Sequence, residues 1–147
     1  MIILDTNVVS ELVRAAPDPK VVAWLAAEDG ADVHLTAVSE AELRLGIAIM
    51  PDGRRREALA EALEGILVEE FRGRILPFDS AATTAYAAIV AVRRAAGRPI
   101  SQFDAQIAAI AQIHRAGLAT RNIRDFEGCD IDVIDPWRGS VPQRDKP

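Results

Sequence analysis

The sequence predicts an α/β fold, a single domain built on a parallel sheet of about five strands that is flanked by helices. Short apolar segments alternate along the chain with longer segments whose apolar residues recur every three or four positions. This alternation is typical of strands that are joined by helices and therefore run parallel. The first segment, Ile2–Leu4, is apolar at every position, which favours a strand buried on both faces. We expect the domain to span residues 1–139 and the polar segment 140–147 to be a disordered tail.

The first part of the chain predicts two strands with two helices between them. After the strand at 2–4, a short helix over 7–14 ends before Pro17. Pro19 then suits the first turn of a second helix, where a missing N–H has no helical partner to lose. The apolar stripe of this helix consists of Val21, Val22, Leu25 and Ala26. The segment 33–36 follows as the second strand.

Two consecutive helices are predicted before the third strand. We expect Ser39 to open the first of them, and its apolar residues are Leu43, Ile47 and Met50. The turn at 51–53, Pro-Asp-Gly, breaks this helix, and a second helix follows over 57–71. Residues 75–76 form the third strand. Two helices in succession suit an excursion of the chain across the edge of the sheet.

A long helix follows the third strand. Asp79 or Ser80 caps its start, and the apolar pattern continues to Ala95. Gly97 terminates the helix, because glycine readily adopts the left-handed conformation that often follows a last helical turn.

One more helix and two more strands complete the predicted sheet. Ser101 starts the helix, Gly117 ends it, and its interior face consists of Ile107, Ile110 and Ile113. The fourth strand covers 118–120, and a weak fifth strand at 133–134 precedes a Pro-Trp pair.

Charge and cysteine content narrow the classes of function. The formal net charge is −5, which argues against a protein covered in positive charge for duplex DNA but leaves RNA binding open. Lys20 and Lys146 are the only lysines, so arginine supplies most of the positive charge, and its planar guanidinium suits phosphate. Cys129 is the only cysteine, so no internal disulfide forms and a reducing, cytoplasmic location fits. We identify no secretory signal, and no apolar segment approaches the roughly 20 residues of a membrane helix.

Polar residues recur where predicted strands end and helices begin. Asp5 ends the first strand, Glu42 lies in the first turn of the helix after the second strand, and Asp104 lies in the first turn of the helix before the fourth. Asn122 and Asp125 follow the fourth strand directly. Open α/β sheets bind ligands beyond the carboxyl ends of their strands. These side chains would therefore converge at one edge of the sheet.

Helix capping is an alternative explanation for each of these residues. Residues 39–42 read Ser-x-x-Glu, residues 101–104 read Ser-x-x-Asp, and residues 122–125 read Asn-x-x-Asp. An acid at the third position after a cap satisfies backbone donors and complements the helix dipole. Asp5 itself would cap the helix that begins near Thr6. Capping explains each acid separately, but it does not explain why all of them fall at the edge where such folds bind ligands.

Clustered carboxylates would repel each other, and a divalent cation would remove that conflict. Mg²⁺ and Mn²⁺ prefer oxygen ligands and commonly keep several waters. A cation held in this way can polarise a phosphodiester and activate water. The residues alone therefore leave two readings open, a metal site for phosphodiester chemistry and a set of helix caps.

The ordered set of motifs resembles the PIN domain family, and within it the VapC and FitB toxins of bacterial toxin–antitoxin pairs. The similarity rests on Asp-Thr-Asn at 5–7, Ser-Glu-Ala-Glu-Leu at 39–43, Phe-Asp-Ala-Gln-Ile at 103–107, Thr-Arg-Asn at 120–122 and Asp-Pro-Trp at 135–137. The resemblance implies an endoribonuclease that depends on Mg²⁺ or Mn²⁺. It also implies a five-stranded parallel sheet, a homodimer, and inhibition by a small DNA-binding antitoxin.

Carried onto this sequence, the resemblance implies a metal site made of Asp5, Glu42 and Asp104. The family's fourth position is often aspartate and is Asn122 here, so the number of metal ions stays open and Asp125 would supply the missing charge. Supporting roles are implied for four other residues, with water positioning or ligand support by Thr6 and Ser39, orientation of Asp5 by Asn7, and phosphate contact by Arg121.

A binding module is the second hypothesis for this chain. In this hypothesis the protein dimerises and completes an antitoxin–DNA complex, and it cleaves RNA weakly or not at all. The acidic net charge and Asn122 motivate it, and the apolar first helix would form part of an interface. Divalent-metal binding that depends on Asp5 would favour the nuclease.

Overall fold

Five parallel strands form one sheet in the computed structural model, which describes residues 1–138. In chain order the strands are β1 Ile2–Leu4, β2 Val33–Thr36, β3 Ile75–Leu76, β4 Gly117–Ala119 and β5 Val133–Ile134. Their order across the sheet is β3-β2-β1-β4-β5, and every neighbouring pair is parallel. The predicted α/β class with a five-stranded parallel sheet is confirmed. The predicted tail at 140–147 lies outside the described residues.

Six α-helices and three short 3-10 helices connect and cover the strands. The α-helices are α1 Thr6–Leu12, α2 Pro19–Ala26, α3 Ala37–Ala48, α4 Arg54–Glu69, α5 Ser80–Ala95 and α6 Gln102–His114. The 3-10 helices are Gly30–Asp32, Ile123–Phe126 and Pro136–Arg138. No helix within residues 1–138 is both long enough and apolar enough to cross a bilayer.

The central strand β1 determines where a ligand site can form. The chain adds β2 and β3 on one side of β1 and then returns to add β4 and β5 on the other side. The connections leaving β1 and its neighbours therefore diverge beyond its carboxyl end and leave a crevice there. Asp5 is the first residue after β1, so the topology places its carboxylate at this crevice.

Each face of the sheet carries its own apolar layer. Ile3 and Leu118 pack with α6 and Phe126 on one face, whereas Leu4 and Ala119 pack with α1 and β2 on the other. All four strand side chains are fully buried, which confirms that the first strand is covered on both faces. Val8 and Val9 of α1 are also fully buried in the second layer, so core packing accounts for this part of the apolar helix.

The predicted start of α3 was wrong, and with it the capping box at 39–42. Thr36 caps the helix, since its Oγ1 accepts a hydrogen bond from the Ser39 N–H over 3.0 Å. The last residue of β2 thus also serves as the cap, which a pattern centred on Ser39 does not reveal. Glu42 is consequently the sixth residue of α3 and lies in its second turn rather than its first. Its carboxylate has no role in capping this helix.

The end of α6 also differs from the prediction. Arg115 adopts the left-handed conformation with φ 50°, and the Ala116 N–H donates to the Ala111 carbonyl over 2.9 Å. The helix therefore ends without glycine, and Gly117 is instead the first residue of β4. Ile113, which was predicted to face the interior, is exposed.

Candidate active site

An open cleft of about 360 Å³ lies beyond the carboxyl ends of β1 and β4. Its walls come from the start of α1, from α3, from the start of α6 and from the segment after β4. The cleft brings together three carboxylates that are far apart in sequence, Asp5, Glu42 and Asp104. The other lining residues are Thr6, Asn7, Ser10, Glu11, Arg14, Arg121, Asn122 and Trp137. The predicted convergence of the acids at one edge of the sheet is therefore present.

Asp5 is buried at the floor of the cleft and is held by three donors. Its Oδ1 accepts from the Thr6 N–H over 2.7 Å. Its Oδ2 accepts from the Thr120 hydroxyl over 2.7 Å and from the Asn7 amide over 3.0 Å. Asp5 also caps α1, so the capping reading and the site reading both hold for this residue. Burial raises the pKa of the Asp5 carboxyl, and the three donors oppose that effect only in part.

Glu42 reaches the cleft from the second turn of α3. Its Oε1 accepts a hydrogen bond from the Thr6 hydroxyl over 3.0 Å. Partial burial raises the pKa of the Glu42 carboxyl, and the negative charges of Asp5 and Asp104 raise it further. Thr6 thus connects the two acids, with its backbone on Asp5 and its hydroxyl on Glu42.

Asp104 occupies the first turn of α6, as predicted. The Ser101 hydroxyl oxygen caps this helix and accepts from the Asp104 N–H over 3.2 Å. Burial raises the pKa of the Asp104 carboxyl, the charges of Asp5 and Asp125 add to the effect, and the charge of Arg93 opposes it.

The three carboxylates offer oxygen atoms, the ligand type that hard divalent cations prefer. Within residues 1–138 none of the three takes part in an ion pair. The charge of Asp5 raises the pKa of both Glu42 and Asp104, and the charge of Asp104 raises the pKa of Glu42. No three acidic, histidine or cysteine side chains in that part of the chain converge closely enough to chelate an ion by themselves. Mg²⁺ commonly binds one or two carboxylates and completes its shell with water, so the arrangement remains compatible with it.

Asn122 and Asp125 lie on different sides of the acidic cluster. Asn122 lines the cleft, and its N–H donates to the Thr120 hydroxyl oxygen over 3.1 Å. Its side chain makes no capping hydrogen bond, so the predicted cap at 122 is absent. Asp125 is absent from the lining of this cleft and instead shares a smaller one with Asp104 and Arg93. Its negative charge still contributes to the raised pKa of Asp5 and of Asp104.

The residues expected to support the acids also differ in whether they reach the cleft. Asn7 orients Asp5 as predicted, and its Oδ1 accepts from the Arg121 N–H over 3.2 Å. Arg121 lines the cleft. Ser39 is fully buried and receives a hydrogen bond from the Thr36 hydroxyl over 3.1 Å. Since Ser39 belongs to the start of α3 and not to the cleft wall, its placement does not support a role in positioning water.

Two contributors to the site belong to motifs that the sequence offered, but no site role was assigned to them. Thr120 is fully buried, and its hydroxyl connects Asp5, Asn7 and Asn122. The motif at 120–122 places it as a polar residue directly after a buried strand. Trp137 lines the cleft from the last 3-10 helix, a position that the Asp-Pro-Trp motif at 135–137 does not by itself reveal.

Comparisons with known proteins were made for the whole chain. A family model described as PIN domain matches residues 2–130. VapC ribonuclease Y4jK of Sinorhizobium fredii is 44% identical over 137 residues, which cover 93% of this chain and 98% of that protein. Toxin FitB of Neisseria gonorrhoeae is 43% identical over 137 residues, covering 93% and 99%.

Solved structures extend the similarity to the fold. The crystal structure of FitAcB from Neisseria gonorrhoeae contains a chain with a TM-score of 0.86 and 43% identity, covering 93% of this chain and 99% of that chain. A structure of FitAB bound to a DNA fragment contains a chain with a TM-score of 0.86 and 42% identity, covering 93% and 96%.

Proposed function

This chain belongs to the PIN domain family, and we propose that it is a Mg²⁺- or Mn²⁺-dependent endoribonuclease that acts as the toxin of a toxin–antitoxin pair. The names of two relatives support the activity and the biological role, since one is a VapC ribonuclease and the other is toxin FitB. Both similarities cover almost the whole of this chain and of the relative. We expect the protein to act in the cytoplasm.

One structural observation carries the proposal. Asp5, Glu42 and Asp104 arrive from three separate elements at one cleft, and no cation in residues 1–138 pairs with any of them. Helix capping partly explains why Asp5 and Asp104 lie at helix starts. It does not explain Glu42, which lies in the second turn of its helix. Bringing one buried and two half-buried acids together without a counter-charge is unfavourable unless a cation compensates them.

The residues of the cleft would share the work of phosphodiester hydrolysis. Asp5, Glu42 and Asp104 would hold the cation, which when bound supplies Lewis-acid polarisation of the phosphate and activation of water. Thr6, Asn7 and Thr120 fix the orientation of Asp5 through hydrogen bonds of 2.7–3.0 Å.

Two more side chains of the cleft would act on the substrate. The amide of Asn122 would hydrogen-bond a water or a phosphate oxygen without adding charge. Arg121 would bind the phosphodiester, because its guanidinium matches phosphate geometry.

A cleavage assay with matched variants tests the proposal. Purified protein is incubated with total RNA and Mg²⁺ or Mn²⁺, and new 5′ ends are mapped. We expect wild-type protein to cut, EDTA to stop it, and Asp5→Asn to reduce the rate by at least about 100-fold, since an acid that holds the metal is neutralised. Equal cleavage by wild type and Asp5→Asn, or cleavage that resists EDTA, would contradict the proposal.

The partners proposed for this chain are an RNA substrate, a small DNA-binding antitoxin and a second copy of itself. Similar chains occur in the FitAcB and FitAB structures, and one of these includes DNA. Size-exclusion chromatography with light scattering tests the homodimer, which has twice the chain mass of 15.9 kDa. A mass of one chain at micromolar concentration would contradict it.

The DNA-bound FitAB structure favours a second candidate function, a dimeric module that completes an antitoxin–DNA repressor and cleaves RNA weakly. Calorimetric titration with Mn²⁺ separates the two candidates. Binding that is lost in Asp5→Asn favours the nuclease. No measurable binding by the wild type favours the module.

A further inference from the structure

A tryptophan and an arginine form one wall of the acidic cleft. The guanidinium carbon of Arg121 lies 5.1 Å from the ring centroid of Trp137, which is within cation–π distance. Both side chains line the cleft that contains Asp5, Glu42 and Asp104. The pair therefore borders the space that a phosphodiester would occupy under the proposed function.

The electrostatic state of Arg121 distinguishes it from the other arginine of the cleft. Arg14 pairs with Glu11 over 3.1 Å, so its charge is compensated. Within residues 1–138 Arg121 has no carboxylate within ion-pair distance, even though three acids share its cleft. An aromatic ring attracts a guanidinium without neutralising it. The N–H donors of Arg121 thus stay available to an anion.

Both members of the pair are held by their backbones. The Arg121 N–H donates to Asn7 Oδ1 over 3.2 Å, and the same Asn7 side chain holds Asp5. The Trp137 N–H donates to Asp135 Oδ1 over 3.0 Å, and the intervening Pro136 is buried. These hydrogen bonds therefore hold Arg121 in the segment after β4 and Trp137 in the segment after β5.

We infer that Trp137 is a substrate-positioning residue that holds the Arg121 guanidinium at the cleft as a phosphate-binding group for RNA. The inference rests on the proposed function. Without the ring, an exposed arginine beside three carboxylates would swing towards them or into solvent. With the ring, the guanidinium keeps its charge and faces the strand whose phosphodiester lies over the acids.

A binding experiment with an uncleaved strand tests this role. The probe is a fluorescein-labelled single-stranded RNA of twelve nucleotides, and every protein carries Asp104→Asn so that it is not cut. We expect Trp137→Leu and Arg121→Leu each to weaken binding by about tenfold, and the double variant to be no weaker than Arg121→Leu, because the ring acts through the guanidinium. Trp137→Phe retains a ring and should recover most of the affinity.

The salt dependence of RNA binding gives a second measurement, and a purely structural role of Trp137 would leave it unchanged. Losing one phosphate contact lowers the slope of log K against log salt by about 0.7 for a single strand. We expect that change in both Arg121→Leu and Trp137→Leu. Arg55→Leu removes the same charge from the exposed start of α4 and serves as the matched control, for which the slope should stay at the value of the parent.

Cleavage kinetics complete the test in the wild-type background. Trp137→Leu should raise KM about tenfold and leave kcat within about twofold, since the acids are untouched. The Mn²⁺-induced rise in melting temperature should equal that of the wild type, which separates positioning from damage to the fold. If wild type binds and cuts RNA and Trp137→Leu matches it in KM and salt slope, this inference fails alone. If wild type neither binds nor cuts RNA, the proposed function fails and the inference falls with it.

Discussion

Thr120 organises more of the site than any acid does by itself. Its hydroxyl donates to Asp5 Oδ2 over 2.7 Å and accepts from the Asn7 amide over 3.2 Å and from the Asn122 N–H over 3.1 Å. One buried hydroxyl thus fixes a carboxylate from β1 against the segment after β4. Residues that hold metal-binding side chains in place affect metal affinity as well as the orientation of those side chains.

We expect Thr120→Val to weaken Mn²⁺ binding by about 10- to 100-fold, because valine keeps the shape but removes the donor to Asp5. The half-buried amide of Asn7 would also lose one of its two partners, which destabilises the fold by about 1 kcal/mol. Calorimetric titration and urea unfolding measure the two effects. Thr120→Ser keeps the hydroxyl and should retain the affinity, and equal Mn²⁺ affinity in wild type and Thr120→Val would contradict the assignment.

We expect a substitution of Glu42 to change stability and activity in opposite directions. Burial and the charges of Asp5 and Asp104 raise the pKa of its carboxyl, so its charged form is less stable in the folded chain than in the unfolded chain. In metal-free buffer at pH 7, Glu42→Gln should therefore raise the melting temperature, and in buffer with Mg²⁺ or Mn²⁺ the same variant should lose cleavage. Glu61→Gln neutralises an exposed acid of α4 that forms no ion pair within residues 1–138 and is the control. A melting temperature for Glu42→Gln below that of wild type would contradict the unneutralised cluster.

At the scale of elements, Thr36 shows how one residue can end a strand and begin a helix. It is the last residue of β2, and its hydroxyl oxygen caps α3. This cap sets the start of α3 and so determines that Glu42 lies one turn further along, where its carboxylate reaches Thr6. A cap of this kind contributes about 0.5–2 kcal/mol to stability. The position of the Glu42 carboxylate in the site therefore depends on the Thr36 cap at the start of α3.

The connection between α1 and α2 depends on Glu11. Its Oε1 accepts from the Asp18 N–H over 2.8 Å, and its Oε2 pairs with Arg14 over 3.1 Å. The Asp18 N–H, followed by Arg14, holds the pKa of the Glu11 carboxyl below its usual range. Glu11 is thus an acid whose charged form stabilises the fold, in contrast to Asp5, Glu42 and Asp104.

We expect the stability contribution of Glu11 to depend on pH. Because its folded-state pKa is lowered, the contribution is complete above the ordinary glutamate value of 4.5 and is lost as the pH falls through the folded-state pKa. Glu11→Gln should therefore unfold at lower urea than wild type at pH 7, and the difference should shrink at pH 3. Glu61→Gln is a control on an exposed acid. A difference that grows on acidification would contradict this assignment.

At the scale of the whole molecule, a bound cation should couple the elements that supply its ligands. Asp5, Glu42 and Asp104 follow β1, lie in α3 and begin α6 respectively. An ion held among them would connect the two layers that pack on opposite faces of the sheet. The unfolded chain lacks this arrangement, so binding would stabilise the folded state.

We expect Mg²⁺ or Mn²⁺ to raise the melting temperature of the wild type in proportion to its saturation. At a free concentration 100 times the dissociation constant, the stabilisation would be about 2.7 kcal/mol. Differential scanning calorimetry measures it, with Asp5→Asn expected to respond little and K⁺ serving as the ionic-strength control. Identical metal responses in wild type and Asp5→Asn would exclude Asp5 as a ligand.

The sequence by itself determined the order and type of the elements. The bounds of β1, β2, β3 and β5 agree with the prediction. Three of these strands are fully apolar, and β2 keeps apolar residues at its first and third positions. The placement of acids just after strands was also visible in the chain, and the parallel topology made their convergence predictable. The less accurate boundaries lie at helix ends, where Thr36 and Arg115 took roles that the local pattern assigned to Ser39 and Gly117.

Only the tertiary structure decided which polar residues actually share the cleft. Local patterns describe Ser39 and Asp125 as well as they describe Glu42 and Asn122, yet only the latter two line the site. The contacts of the Thr120 hydroxyl and the position of the Trp137 ring depend on distant segments, which their local motifs do not reveal. The physical reason is that strand order β3-β2-β1-β4-β5 results from packing between distant segments, whereas capping and metal binding use the same local chemistry. Sequence spacing therefore identifies the candidates, and long-range packing selects among them.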